Sequence, residues 1–374
     1  MSGFQPIAFF RERRHCNEHP VYWQREEIVS LESYREEHDN RTQLKWIKSM
    51  SEPNRVNSPK IKTGIVMDPI SGIKPYKDSS FAMLLEASRR GHALFYMEPA
   101  SLYAKDGSVR AHMQRLEVRD NRDDWFSLVP VGDKALDELD IVLMRRDPPF
   151  DLNYIYTTYM LELAESSGVL VINRPQSLRD ANEKFFITNF PQCCVPMMIS
   201  SQSDMIRSFV LQHDHCVVKP LDGMGGESVF RVSAEDLNLN VILETITRHD
   251  SRAVMAQKYI DEISEGDKRI LVVNGEPVSY ALARFAGKGD FRGNLAKGGS
   301  SKGVPLSERD RWICSQVAPE LKKRGILFAG LDVIGDWLSE VNVTSPTCIR
   351  ELDAEFGLNI AGQLFDAVET ELKR

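Results

Sequence analysis

The sequence predicts an α/β fold with a parallel sheet over residues 61–180, followed by an α+β region over 181–374 with mostly antiparallel strands. Three observations carry this. Between Ile61 and Asn173, short apolar runs alternate with helix-length segments, which is the strand–helix–strand rhythm of a parallel sheet. Beyond Pro175 the β-prone runs follow one another with short turns between most of them, as antiparallel pairing requires. At 42% hydrophobic and 27% charged residues, 374 residues have ordinary globular usage and can build two or more cores.

KTGIVMDPI opens the first region as a strand that ends at Asp68-Pro69. DSSFAMLLEASRRGH then reads as a helix with Asp78 or Ser79 as N-cap and Gly91 as C-cap. ALFYME (93–98), DIVLMRRDPP (140–149) and VLVIN (169–173) are further strands, with a helix YIYTTYMLELAESSG (154–168) before the last. After Pro175, QSLRDANEKFFITNF reads as one helix. The second series of strands is HCVVKP, SVFRV, AVMAQKYI, DKRILVVNGEPVSYALARF, FAGLDVI and LSEVNV. Residues 1–60 lack strand patterns and end in the linker-like SEPNRVNSPK, so they form an extension of unreadable role.

A net charge of −7 gives no bulk reason to expect nucleic acid or an anionic membrane as partner, although local basic clusters can hold small anions. No apolar run approaches the roughly 20 residues of a spanning helix, and the N-terminal IAFF is too short for a signal-peptide core. A cytoplasmic protein is expected. The six cysteines are scattered without metal-binding spacing and read as reduced thiols.

Chemistry concentrates at three places. VVKPLDGMGGESVFRV (217–232) sets Lys219 at a strand end before Gly223, Gly225 and Gly226. It is neither GxxxxGK[ST], where the lysine follows the glycines, nor GxGxxG, which would need glycine at Ser228. A flexible turn able to offer backbone N–H groups to a phosphate remains, and so does a plain hairpin with an exposed lysine. In FAGLDVIGDWLSEVNV, a three-residue loop Gly335-Asp336-Trp337 would set Asp332 opposite Glu340, with Asn342 two residues on along the same face. Three oxygen donors without histidine suit Mg²⁺, which takes further ligands from water and phosphates; the other reading is the solvated face of an edge hairpin. Third, Arg269 starts a strand and Arg292 sits in a glycine-, serine- and lysine-rich loop, 286–303, that suits either a mobile basic lid or a disordered surface loop.

A lysine before a glycine turn, a basic loop and an Asp/Glu/Asn hairpin, in that order after an α/β domain, is the order of parts in the ATP-grasp superfamily. IVMDPI, KDSSFAMLLEA, RRDPPFD, NRPQSLRDANEK, KPLDGMGGESVFRV, GDKRILVVNGEPV, RGNLAKGG and LDVIGDWLSEVNVTSPTCIRE resemble the bacterial glutathione synthetase family across 61–374. Only residues 1–60 fall outside it. The resemblance implies a substrate-binding pre-ATP-grasp domain (61–180) and a two-lobed ATP-grasp domain (181–374, lobes meeting near 259–260). It implies ATP-dependent joining of γ-glutamylcysteine to glycine through an acyl phosphate, with ATP and Mg²⁺ as cofactors, Mn²⁺ as a substitute, and a homo-oligomer of tetramer type.

By the same resemblance, Lys184 and Lys219 hold the nucleotide phosphates under a flap of Gly223, Gly225 and Gly226. Gln257, Lys258 and Tyr259 read the adenine edge, and Asp267 accepts from the ribose. Arg269 and Arg292 stabilise charge on the transferring phosphoryl group and the tetrahedral intermediate, and Asp332, Glu340 and Asn342 are the metal ligands. Arg145 and Arg350 are candidates for the substrate's carboxylates, or else structural ion pairs. Rivals are another carboxylate–amine ligase of this superfamily with a different acceptor, and a non-catalytic ATP-binding module of synapsin type. RRDPP and TSPTCIRE, outside the shared nucleotide machinery, argue against the first, and the arginines and metal ligands argue against the second.

Overall fold

The computed structural model describes residues 61–223, 225–287 and 299–373. The expected extension 1–60 and the greater part of the expected lid, with Arg292, lie outside the described residues. Asn57–Arg374 form one compact unit.

A seven-stranded sheet occupies the first part of this unit. β1 (Lys62–Val66), β2 (Ala93–Met97), β6 (Ile141–Met144) and β7 (Leu170–Ile172) run parallel, as expected, and lie in the order β2-β1-β6-β7. Gly64 lets its neighbours close in on β1, since a Cβ there would meet Leu139 Cδ1 at 2.6 Å and Met97 Cε at 2.7 Å. Helix α1 (Ser79–Arg89) is capped by Asp78, whose Oδ1 accepts from the Phe81 N–H at 2.7 Å, and it is followed by Gly91 at φ +80°. Helix α2 (Leu152–Ser166) is capped in the same way by Asp151.

The sheet is not wholly parallel. β3 (Leu102–Lys105), β4 (Ser108–Val118) and β5 (Phe126–Ala135) add an antiparallel extension on the β2 edge. In β4 the buried Val109, Ala111, Met113 and Leu116 alternate with polar residues until a bulge at Met113/Gln114 shifts the phase by one residue. That break and the charged residues between obscure the strand in the sequence.

The single helix expected at 176–190 is two pieces. α3 (Pro175–Asp180) stops, and the Asn182 Oδ1 accepts from the N–H groups of Lys184 (3.1 Å) and Phe185 (2.9 Å), opening a 3₁₀ turn at Phe185–Asn189. A side-chain acceptor that competes with the helical backbone bond ends the helix.

The second sheet is antiparallel, β10-β9-β11-β8, from β8 (Met197–Ser200), β9 (His215–Pro220), β10 (Phe230–Ser233) and β11 (Val254–Lys258). Two of its connections are helices rather than turns: α4 (Ser203–His213) joins β8 to β9, and α5 (Leu239–Ile246) joins β10 to β11. Ile206, Phe209 and Val210 of α4 and Leu239, Leu243 and Ile246 of α5 pack on Val218, Val232 and Val254, so this sheet has a core of its own.

The third sheet, also antiparallel, is β14-β13-β12-β15-β16, from β12 (Asp267–Val273), β13 (Glu276–Phe285), β14 (Ser300–Pro305), β15 (Phe328–Ile334) and β16 (Trp337–Asn342). β14 takes the last residues of the segment expected to be lid. Helices α6 (Glu308–Lys323), α7 (Ile349–Phe356) and α8 (Ile360–Leu372) accompany the sheet. Its core is shared with the first sheet: Leu271, Leu282 and Phe365 lie in one apolar cluster with Ile65, Leu84 and Ile141.

Candidate active site

A cavity of about 530 Å³ is lined by residues of the second and third sheets and by loops of the first. Its walls come from the end of β9 with the glycine turn, from the end of β11, from β12 with the β15–β16 hairpin, and from first-sheet loops with the start of α7.

The hairpin places the acidic set, by a different turn from the one expected. The loop is two residues, Gly335-Asp336, because Ile334 pairs with Trp337. An irregularity in β16 then shifts register by one residue, so that Asp332 pairs with Glu340 after all, and Gly330 with Asn342. Asp332 also pairs across the sheet with Arg269. The Arg269 guanidinium grips it in a bidentate fork, Nε donating to Oδ1 and Nη2 to Oδ2 at 2.9 Å. Arg284 Nη2 lies 3.0 Å from the same Oδ2, and Asn342 Nδ2 donates to it at 3.2 Å. Burial opposes ionisation here, yet Arg269 and then Arg284 hold the Asp332 carboxyl far below the carboxylate range.

Glu340 is the second centre. Lys219 Nζ donates to Glu340 Oε1 at 3.4 Å and Lys184 Nζ lies 3.7 Å from it. Both lysines are almost fully buried, at 6% and 3% exposure. Burial again opposes, but Lys184 and then Lys219 hold Glu340 below its ordinary value. Lys184 also donates to the Gly223 carbonyl at 2.7 Å and pairs with Glu183, which ties the helix break to the glycine turn. In that turn Gly225 and Gly226 line the cavity at φ +59° and +73°, backbone that side chains disfavour. Gly223 is glycine for another reason: a Cβ there would meet Pro220 Cγ at 2.9 Å.

Gln257, Lys258 and Tyr259 line the cavity with apolar Val217, Val229, Ile260, Ile263 and Ile334. Gln257 is 5% exposed and its Nε2 has no hydrogen-bond partner; the Oδ1 of Asp267 is likewise buried and partnerless. An open donor and an open acceptor in an apolar slot are what a base and a sugar hydroxyl would satisfy. Arg284 Nη2 holds the other Asp267 oxygen at 2.5 Å, but burial, aided by the charges of Asp332 and Glu340, pushes Asp267 up to about 7.

Among the described residues no three His, Cys, Asp or Glu side chains converge on a metal-sized site. The oxygen set here is two carboxylates and one amide, which fits a hard cation that draws its remaining ligands from elsewhere.

The structure separates Arg145 and Arg350 from this group. Arg145, 6% exposed, donates to Ser80 Oγ at 2.8 Å and to the carbonyls of Pro346 at 3.0 Å and Thr344 at 3.5 Å. It holds the loop that lines the cavity without lining it itself. Arg350 pairs with Asp120 at 2.8 Å and also stays out of the lining. Sequence reasoning missed Arg284, whose one signal is that β13 sets it opposite Asp267. It also missed Glu183, Lys74, Lys77, Asp78, Asp147 and Glu351, which line the cavity.

Family models bear on this arrangement directly. The prokaryotic glutathione synthetase N-terminal domain matches residues 61–179, and the prokaryotic glutathione synthetase ATP-grasp domain matches 183–357. Glutathione synthetase of Pseudomonas aeruginosa is 56% identical over 312 residues, covering 83% of this chain and 98% of that protein. Glutathione synthetase of Escherichia coli O157:H7 is 53% identical over 314 residues, 84% of this chain and 100% of that protein. Among solved structures, D-cycloserine synthetase DcsG has a TM-score of 0.61 at 15% identity, covering 83% of this chain and 99% of that one. D-alanyl-alanine synthetase A of Vibrio cholerae has a TM-score of 0.53 at 14% identity, covering 84% and 99%. These two show the ATP-grasp fold alone, whereas the sequence relatives share most of their length and more than half of their residues with this chain, which belongs to the prokaryotic glutathione synthetase family of ATP-dependent ligases.

Proposed function

We propose that the protein joins γ-L-glutamyl-L-cysteine to glycine, with ATP cleaved to ADP and phosphate. The observation that supports this is the meeting of Lys184 and Lys219 at Glu340, beside Arg269 and Arg284 at Asp332, in a cavity that also holds an apolar slot with an open donor and an open acceptor. The dipeptide carboxylate attacks the γ-phosphorus, and the bond to ADP breaks. Glycine's neutral amine then adds to the acyl phosphate carbon, and phosphate leaves with the C–O electrons as the amine sheds its proton.

Lys184 and Lys219 offset the phosphate charge that would repel the incoming carboxylate, and Arg269 faces the charge that builds in transfer. Gln257, Lys258 and Tyr259 orient the base, and Asp267 accepts from the ribose. Positioning of this kind is worth roughly 7–11 kcal/mol of barrier, and no covalent nucleophile is required. Asp332, Glu340 and Asn342 would hold Mg²⁺, or Mn²⁺ in its place, and the ion would supply further charge compensation on the phosphates. Residues 61–180 and 181–374 act in this reading as the substrate-binding and nucleotide-binding parts of a cytoplasmic homo-oligomer. Among the described residues no helix is long and apolar enough to cross a membrane.

Phosphate release from ATP, measured across dipeptide and amine panels, should require γ-glutamylcysteine and glycine together. Equal turnover with D-alanine as acceptor would favour a different carboxylate–amine ligase; no turnover with any pair would remove the ligase reading.

A further inference from the structure

Three consecutive residues, Asn182, Glu183 and Lys184, reach both the second and the third sheet. Asn182 Nδ2 donates to the Leu221 carbonyl at 2.9 Å, and Lys184 Nζ donates to the Gly223 carbonyl at 2.7 Å. Two side chains two residues apart thus hold two carbonyls two residues apart, where the glycine turn leaves β9. Between them, the Glu183 carbonyl accepts at 2.9 Å from the N–H of Val341, the β16 residue that stands between Glu340 and Asn342. One tripeptide therefore bridges the glycine turn and the acidic hairpin.

Within the bridge, Asn182 does not line the main cavity, so whatever it does there it does through the turn and through Lys184. Its amide is engaged at both ends: Oδ1 accepts from the Lys184 and Phe185 N–H groups while Nδ2 donates to Leu221. An acceptor and a donor on one short planar group are what these three backbone partners require. The inverted amide would aim N–H at N–H and oxygen at oxygen. Packing does not replace the bond to Leu221. That side chain is only half-buried, and a second cavity of about 20 Å³ lies against Asn182, Leu221, Asp222, Phe150 and Val343. A limb with open space beside it loses contacts on that side and is placed by directional bonds instead. The neighbouring Asp222 pairs with Arg252, but Asp222 is 54% exposed, and such pairs fix little.

We propose that Asn182 is a positioning residue for the glycine turn: through the Leu221 carbonyl it sets Gly223, Gly225 and Gly226 in register with Lys184 and Glu340. This rests on the proposed ligase reading, in which the turn covers the nucleotide phosphates, and adds to it a residue outside the binding surface. Loss of the bond frees the root of the turn, so its cost falls on nucleotide binding and leaves the dipeptide and glycine untouched.

Two neutral variants of the full chain test the role. Asn182→Ser keeps a short acceptor for the backbone N–H groups and loses the reach to Leu221; Asn182→Ala loses both. Each should raise the Kd for ADP with Mg²⁺, read by titration calorimetry, and the KM for ATP by about tenfold, the scale of one net hydrogen bond. KM for γ-glutamylcysteine and for glycine should stay within twofold. In a thermal melt Asn182→Ser should match wild type more closely than Asn182→Ala, and it keeps the assignment testable if the alanine variant folds poorly. A wild-type Kd for ADP in a folded variant, or equal changes in all three KM values, would reduce Asn182 to a helix stop and overturn the assignment alone. Wild-type protein that neither binds ADP nor releases phosphate with γ-glutamylcysteine and glycine would overturn the ligase reading, and this assignment with it.

Discussion

Asp332 is the residue on which the charge balance of the site turns. Its carboxylate sits 4% exposed between two guanidiniums, and removal of that charge leaves Arg269 and Arg284 facing each other across a buried gap. Asp332→Asn keeps the shape and removes the charge. It should destabilise the fold by about 3 kcal/mol, the scale for one partner lost from a buried pair, and lower kcat by 100-fold or more. Urea denaturation and phosphate release measure the two effects; an intact kcat would remove Asp332 from the chemistry. The acidic set was legible because two strands and a short turn confine where three polar residues in apolar runs can point. Arg284 was not, since one charged residue in a strand has no period, and its partner Asp267 is set by tertiary pairing. Arg145 was legible as an unusual charge in an apolar run, but its carbonyl partners on 344–346 lie about two hundred residues away in sequence.

At the scale of elements, the first and last helices are clamped together. Arg90, just past α1, donates to Glu86, to the Gly362 carbonyl (2.9 Å), to Asp366 (2.7 Å) and to Glu369 (3.0 Å) on α8. Arg89 first, and then Arg90, hold the Glu86 carboxyl at about 2 against an ordinary 4.5, with burial opposing them. A depressed carboxylate favours the folded state only while ionised. Its contribution, at most about 3 kcal/mol, is complete above pH 4.5 and is lost as pH falls from 4.5 to about 2. Glu86→Gln should therefore lower Tm at pH 7 and leave Tm less dependent on pH across that window, which a calorimetric pH series would read; parallel Tm curves for the two proteins would contradict the clamp. The parallel strands were legible because both faces are buried and the apolar runs are continuous. β3 to β5 and helices α4 and α5 were not: the first carry charge on their solvent side and a bulge in β4, and the helices bury only one narrow stripe each.

For the whole molecule, the catalytic apparatus proposed above lies entirely C-terminal to residue 60. The family models begin at residue 61, and the Escherichia coli relative is matched over 100% of its own length by 84% of this chain. Among the described residues the cavity lining begins at Lys74, and the compact unit runs from Asn57 to Arg374. A protein lacking residues 1–60 should therefore fold and retain kcat and all three KM values within about twofold, because every residue given a role in the site above lies beyond residue 60. The strand edge most sensitive to the cut is β1, whose Lys62 N–H donates to Asp140 at 2.6 Å and whose Ile61 carbonyl accepts from Ala93. Starting the shortened chain at Asn57 keeps those bonds and separates loss of the extension from fraying of the central strand. Steady-state kinetics and a thermal melt of that protein decide the matter. A folded product that binds ATP but releases no phosphate would show that the extension completes the site, and would move part of the chemistry into the first sixty residues.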